Sequence, residues 1–312
     1  YALYSNTTGT SNTALGDSTL FCNTTGSCNT ASGQLALFCN TTGTYNTANG
    51  YEALCANTTA NANVAFGYQA LKNNIAILNA AFGTEALENN TTGCLNVALG
   101  NYALRFNTTG SCNVAVGYQS HYCTTGGFYN TAIGYQSSFA NTTGGHNSSL
   151  GFQALFYNQT GSRNTALGNY AFHKTTTNDN TGVGYTAGIC TTTGNANTVM
   201  GACSLFNNTT GTCNIALGFQ SLYNNTTGGF NTALGTYSLV YNTTGNYNIA
   251  VGYQSLCSNT TGSNNTASGR YSLRNNTTGG GNTASGMFSL LCNTTGSCNT
   301  ASGMYSLRNN TT

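Results

Sequence analysis

The stretch Asn12-Thr13-Ala14-Leu15-Gly16 returns along the whole chain as an Asn four residues before a Gly. We call this glycine the corner glycine and this asparagine the strand asparagine. The corner glycines are Gly16, Gly33, Gly50, Gly67, Gly83, Gly100, Gly117, Gly134, Gly151, Gly168, Gly184, Gly201, Gly218, Gly235, Gly252, Gly269, Gly286 and Gly303. Their spacing is 17 residues, with one residue missing before Gly83 and before Gly184. This period predicts one continuous repeat array over residues 1–312, as a fragment of a longer chain or filament.

The residues between corner glycines predict short strands and exclude helices. An apolar residue that recurs once in 17 positions cannot form a helical stripe, which needs apolar positions three and four apart. N-T-A-L-G and segments such as Tyr68–Leu71 are instead interpreted as two strands per coil, bounded by the turn sequence N-T-T-G. The glycine between them makes a corner with positive φ. We therefore predict an all-β, single-chain β-solenoid, a parallel β-roll or β-helix of about 18 coils.

Stacked coils place equivalent residues above one another. A small residue, usually Ala, stands two positions before each corner glycine, Ala or Ser stands three after it, and Leu stands four after it. The strand asparagines are expected to form a hydrogen-bonded ladder of side-chain amides along the axis. Its first predicted members are Asn12, Asn29, Asn46, Asn63 and Asn79.

The residue just before the corner glycine is often apolar, as at Phe66, Phe82 and Leu99. Adjacent strand residues face opposite ways, so both faces of a thin coil carry apolar side chains. Such a coil is expected to have an external partner. We predict lateral self-association, as a homotrimer or a filament.

Composition limits the possible partners. Only 4% of the residues are charged and the net charge is +2, which argues against a basic nucleic-acid-binding patch. No apolar run approaches the roughly 18 residues of a membrane helix, so the chain is not expected to span a membrane. Thirteen cysteines suit an oxidising compartment.

The turn N-T-T-G matches the acceptor pattern for N-linked sugar, and covalent glycans would replace the missing surface charges. The same letters also suit an Asx turn, and the sequence leaves both readings open. The glycosylation candidates are Asn6, Asn23, Asn40, Asn57, Asn90, Asn107, Asn141, Asn158, Asn208, Asn225, Asn242, Asn259, Asn276, Asn293 and Asn310.

Five cysteines are candidates for disulfide bonds. Cys22 with Cys28, and Cys292 with Cys298, flank single turns, while Cys22 with Cys39 would join neighbouring coils. No four metal ligands converge, so neither zinc nor another cofactor is expected. The histidines and acidic residues are scattered over different coils, which predicts that the chain is not an enzyme. These residues are His121, His146, His173, Asp17, Glu52, Glu85, Glu88 and Asp179.

The segment Asn214–Leu222, N-I-A-L-G-F-Q-S-L, resembles the head repeats of trimeric autotransporter adhesins and the shaft repeats of phage tail-fibre and related surface proteins. The resemblance implies a homotrimeric stalk or head, used for attachment outside the cell or on a cell or virion surface. Our leading hypothesis is a structural subunit of an extracellular fibre, stalk or sheath, N-glycosylated and disulfide-stabilised. The alternatives are an adhesin or carbohydrate-binding shaft, and an ice-binding solenoid. Against the last, consecutive threonines point opposite ways and form no broad plane.

Overall fold

The computed structural model describes residues 1–312 as two compact units, Tyr1–Thr160 and Gly161–Thr312. Each unit is an all-β parallel solenoid without helices, which confirms the predicted fold class. The first unit contains β1(Thr13–Leu15), β2(Thr30–Ser32), β3(Thr47–Asn49), β4(Val64–Phe66), β5(Ala80–Phe82), β6(Val97–Leu99), β7(Val114–Val116), β8(Thr131–Ile133) and β9(Ser148–Leu150). The second contains β10(Thr165–Leu167), β11(Thr181–Val183), β12(Thr198–Met200), β13(Ile215–Leu217), β14(Thr232–Leu234), β15(Ile249–Val251), β16(Thr266–Ser268), β17(Thr283–Ser285) and β18(Thr300–Ser302). That the two units form one continuous array stays a prediction.

Within each unit, every strand pairs in parallel with the strand of the next coil. Thr13 lies beside Thr30 and Ala14 beside Ala31. The two 16-residue coils keep this alignment, because Val64 pairs with Ala80 in the first unit and Thr165 with Thr181 in the second. In each short coil the missing residue therefore comes from outside the strand, and the columns remain in register.

The prediction of two strands per coil is wrong, since each coil has a single three-residue strand. The second predicted segment forms turns with positive φ at alternate residues, as at Gln69 (φ 55°) and Leu71 (φ 54°). Strand residues require negative φ, so this wall of the coil cannot be a β-sheet. Coil-to-coil hydrogen bonds still cross it, for example from Leu71 N to Ala86 O at 3.0 Å.

The corner glycines have the positive φ that the sequence predicts, between 113° and 140°. Stacking adds a second reason for glycine at this position. A Cβ atom built on Gly117 would lie 2.6 Å from the carbonyl oxygen of Gly134 in the next coil. A side chain at the corner would therefore be both strained and sterically blocked.

The core of each coil is narrow and only partly apolar. Leu54 and Ala65 are fully buried, and the equivalent residues of almost all the remaining coils are buried as well. The residues on either side of the inward Ala point outward, so Phe66 stays partly exposed next to buried Ala65. Asparagine side chains fill the remaining interior.

Candidate functional site

The predicted amide ladder of strand asparagines is present in both units. Asn29 donates from its backbone N and from Nδ2 to Asn12 Oδ1, at 3.0 and 3.2 Å. Its Nδ2 also donates to the Gly43 carbonyl at 2.8 Å. Asn79 departs from this pattern, because in the shortened coil its Nδ2 turns to Asn74 Oδ1 at 3.1 Å. The buried Nδ2 groups of these strand asparagines thus donate hydrogen bonds, as buried polar groups require.

A second buried ladder runs through the asparagines that stand seven residues after the corner glycine, which we call the turn asparagines. Asn40 Nδ2 donates to Asn23 Oδ1 at 2.8 Å and to the Gly43 carbonyl at 3.1 Å. In the second unit, Asn242 Nδ2 donates to Asn225 Oδ1 at 2.8 Å. The turn asparagines thus stabilise the stacking of coils from inside.

The burial of this ladder argues against N-linked sugar on the turn asparagines, and glycosylation itself stays a prediction. An acceptor column would lie on the outer edge of the coil, whereas thirteen of the fifteen candidates are fully buried. Those thirteen are Asn23, Asn40, Asn57, Asn90, Asn107, Asn141, Asn158, Asn208, Asn225, Asn242, Asn259, Asn276 and Asn293. The other two, Asn6 and Asn310, lie in the outermost coils and are partly buried, and their Nδ2 atoms are also used as donors. A sugar would have to replace these donated hydrogens inside the coil.

The two threonines that follow each turn asparagine have different roles. The hydroxyl of the first donates to a carbonyl of the next coil, as from Thr209 Oγ1 to Thr226 O at 3.0 Å. The second, such as Thr210, is exposed. Consecutive threonines thus differ in environment, in keeping with the argument against a broad threonine plane.

The structure has all thirteen cysteines as free thiols. The expected disulfides among Cys22, Cys28, Cys39, Cys292 and Cys298 are not formed. The backbone N of Cys22 donates a hydrogen bond to the Phe38 carbonyl in the following coil, whereas that of Cys28 donates to the Thr10 carbonyl in the preceding coil. The two ends of this turn are therefore hydrogen-bonded to opposite neighbouring coils. Burial, and then the neighbouring Cys22, raise the pKa of the Cys39 thiol, which lowers its reactivity. Disulfides therefore no longer support an oxidising compartment.

The charged residues divide unequally between the units. The first unit has two basic and four acidic residues, a formal net charge of −2, and most of them are ion-paired. Arg105 lies 2.6 Å from Glu85 and 2.9 Å from Glu88, and Lys72 lies 2.7 Å from Glu52. The hydrogen bond from Lys72 lowers the pKa of the Glu52 carboxyl. These carboxylates are held in ion pairs rather than set apart as acid and base.

The second unit has five basic residues and one acidic residue, a formal net charge of +4. Its single carboxylate, Asp179, is paired with Arg163 at 2.6 Å. The hydrogen bond from Arg163 lowers the pKa of the Asp179 carboxyl. The remaining cations, Lys174, Arg270, Arg274 and Arg308, have no acidic partner in this unit.

His121 occupies a core position that is Leu in most coils, and it is fully buried. Its Nε2 lies 3.1 Å from Asn141 Nδ2, so the neutral ring accepts a hydrogen bond there. It replaces the acceptor lost where Thr124 takes the place of a turn asparagine. Burial lowers the pKa of His121 to about 3. His121 thus has a structural role, and no group of three His, Cys, Asp or Glu residues that could hold a metal ion is present in the chain.

Aromatic residues form stacked ladders on the outside. The rings of Tyr118 and Tyr135 are 5.4 Å apart at 16°, and those of Tyr135 and Phe152 are 5.2 Å apart at 5°. Face-to-face stacking of this kind covers the ring faces with other rings. A sugar that needs an aromatic face has only ring edges along such a run.

The outward side of the first unit's strands is apolar over consecutive coils. Phe66, Phe82, Leu99 and Ile133 are between 36% and 49% exposed. Val116 and Leu150 continue the same column. We call this surface, formed by the residues just before the corner glycines of β4 to β9, the outer strand face.

No helix in the structure has the length and apolar character needed to cross a membrane. Comparisons of the chain with protein-family models, with curated proteins and with solved structures found no match.

Proposed function

We propose that the chain is a structural subunit of an extracellular fibre, stalk or sheath that assembles through self-association. The outer strand face is the observation that carries this proposal. Side chains as large as Phe66 and Leu99 are left in contact with water in successive coils, where their burial would be favourable by about 25 cal/mol per Å². A contiguous apolar surface of this kind typically marks an interface.

A second copy is a suitable partner because its side chains repeat at the same spacing. Coils stack about 4.8 Å apart, so the rows of one copy match the rows of another over their whole length. No charged residue lies among the outward strand residues of β4 to β9. Association in a homotrimer or filament would remove this face from water, in agreement with the resemblance to adhesin heads and fibre shafts.

Two internal amide ladders favour a role in which shape matters more than chemistry. The Asn12–Asn29 and Asn23–Asn40 contacts recur in successive coils, and buried networks of this kind hold one arrangement. Placement outside the cell follows from the resemblance and from a surface that has few charges. Immunogold electron microscopy of source cells checks this placement, and labelling confined to the cell interior would contradict it.

Analytical ultracentrifugation combined with electron microscopy tests the assembly. The natural chain is expected to form trimers or filaments, while Leu99→Lys, which places a charge on the outer strand face, is expected to give monomers. Thr193→Lys, at an exposed turn position away from the strands, is the matched control and should assemble like the natural chain. A natural chain that stays monomeric at all concentrations would refute the proposal.

A further inference from the structure

The second unit has a small pocket at a break in an aromatic ladder. Phe206 and Tyr223, each five residues after a corner glycine, stack at 5.0 Å. The next two residues of this column are Val240 and Cys257, which are smaller and nearly buried. A pocket of about 260 Å³ opens over them because two aromatic rings are missing.

The walls of this pocket offer three kinds of contact. The rings of Tyr237 and Tyr241 line it, together with the amide side chains of Gln220 and Gln254 and the guanidinium of Arg274. Gln254 Oε1 is buried and accepts no hydrogen bond, while its Nε2 donates to Tyr253 Oη at 3.2 Å. A buried acceptor without a donor favours a ligand that brings a hydroxyl or amide hydrogen.

A longer groove of about 850 Å³ adjoins the pocket, since both are lined by Tyr241 and Ser258. It follows two columns of side chains as far as Lys174. One column consists of the first of the two threonines in each turn. Their hydroxyls already donate hydrogen bonds to the next coil, as from Thr226 Oγ1 to Thr243 O and from Thr243 Oγ1 to Thr260 O, both at 3.1 Å. These threonines therefore offer mainly methyl groups to a ligand. The less polar face of a sugar ring can pack against methyl groups.

The charged side chains that line the pocket and groove favour a negatively charged ligand. Arg274 lies at the pocket and Lys174 at the far end of the groove, and no acidic side chain lines either cavity. The Arg274 guanidinium is 5.3 Å from the Tyr271 ring centroid, a cation–π contact that holds it in place. A guanidinium without an acidic partner is well suited to a carboxylate, with which it forms paired hydrogen bonds.

We propose that the pocket and groove bind a linear acidic polysaccharide. One uronic acid residue occupies the pocket, and its carboxylate pairs with Arg274. One of its hydroxyls donates a hydrogen bond to Gln254 Oε1, and its ring packs beside Tyr237 and Tyr241. Further residues follow the groove towards Lys174, five coil steps from Ser258, or about 24 Å. This length accommodates several sugar residues.

A nucleic acid fits these observations less well. Its backbone carries a charge at every nucleotide and is normally matched by closely spaced cations. Here the groove and pocket offer only Lys174 and Arg274, at opposite ends. The proposal goes beyond the fibre hypothesis and does not depend on it, since a monomeric chain would retain this site.

Isothermal titration calorimetry of the full chain with oligogalacturonate tests the site, with cellohexaose and an oligothymidylate as comparison ligands. Oligogalacturonate is expected to bind and to lose affinity with added salt, while cellohexaose and oligothymidylate bind at least tenfold more weakly. Absence of oligogalacturonate binding at low salt would overturn the proposal. Equal or tighter binding of oligothymidylate would assign the surface to nucleic acid instead.

Three substitutions locate the binding. Arg274→Gln is expected to weaken it at least tenfold, whereas Arg163→Gln, which removes a cation engaged with Asp179, should change it less than twofold. Val240→Tyr restores the aromatic residue found at Tyr223 and is expected to close the pocket and abolish high-affinity binding. Circular dichroism of each variant establishes that it is folded. Unchanged affinity in folded Arg274→Gln and Val240→Tyr would refute the assignment.

Discussion

The ring of Phe172 occupies the space that Gly188 leaves open in the following coil. A Cβ atom on Gly188 would overlap the edge of this ring, and one on Gly182 would lie 2.7 Å from Phe172 Cδ2. Most coils have Leu at the positions of Phe172 and Gly188, and most have Ala at that of Gly182. One large residue is thus compensated by two glycines, which keeps the volume of the core nearly constant.

This compensation predicts a strong coupling between two substitutions. Phe172→Leu leaves a cavity and is expected to lower the free energy of unfolding by about 2 kcal/mol. Gly188→Leu collides with the ring and is expected to cost about 2 kcal/mol or more. The double variant restores the leucines of ordinary coils and should recover most of the loss. Urea unfolding measures all three, and additive losses in the double variant would contradict the packing.

The turn asparagines are predicted to be essential for stability. In Asn242→Ala, Asn225 Oδ1 loses its donor and Asn259 Nδ2 loses one of its two acceptors, both inside the coil. We expect a loss of about 2–4 kcal/mol in the free energy of unfolding. Thr244→Ala removes an exposed hydroxyl from the same turn and should change stability by less than about 0.5 kcal/mol. Similar thermal melting of the two variants would count against the buried ladder.

Corner glycines should not accept even a methyl group. Gly117→Ala combines a φ of 126° with a contact against Gly134, and about 3 kcal/mol or more of destabilisation is expected. Gly126→Ala is the control, since its Cβ would meet only Thr109 Oγ1, at 3.3 Å. Thermal denaturation of both variants distinguishes a requirement for glycine from general sensitivity to substitution, and equal melting temperatures would contradict it.

Acidification is predicted to destabilise the first unit through His121. Its pKa is about 3 in the folded chain, against 6.5 for a histidine that is free in water, so the unfolded chain binds more protons between these values. The contribution of the neutral His121 ring to the free energy of unfolding is complete above pH 6.5. The free energy of unfolding should fall by about 1.4 kcal/mol per pH unit as the pH drops towards 3. Chemical unfolding between about pH 7 and 5 leaves out the carboxylates, which remain ionised there. Burial also lowers the pKa of His173 in the second unit, so that residue adds a slope of the same sign. His121→Leu should reduce the slope in that range, and an unchanged slope would refute the prediction.

The features that the sequence predicts well are those with one physical requirement per column. Corner glycines need positive φ, and strand asparagines repeat without exception, so the coil length, the corners and the first amide ladder follow from the period. The second strand was wrongly predicted, because Leu71 adopts a left-handed conformation that its side chain does not favour and that stacking imposes. The direction of Asn40 could not be read from N-T-T-G, which suits an exposed acceptor and a buried turn equally. The pocket over Val240 depends on two smaller residues in one column and has no motif.

Each unit contains one coil that is shorter by a residue, and the pairing of Val64 with Ala80 shows that strand alignment survives the loss. The loss in this coil falls within the turn between Asn74 and Asn79. A gene for such a chain can therefore lose a single codon at this edge while the strands of the neighbouring coils stay aligned. The same edge is where an engineer would splice in a foreign peptide for display.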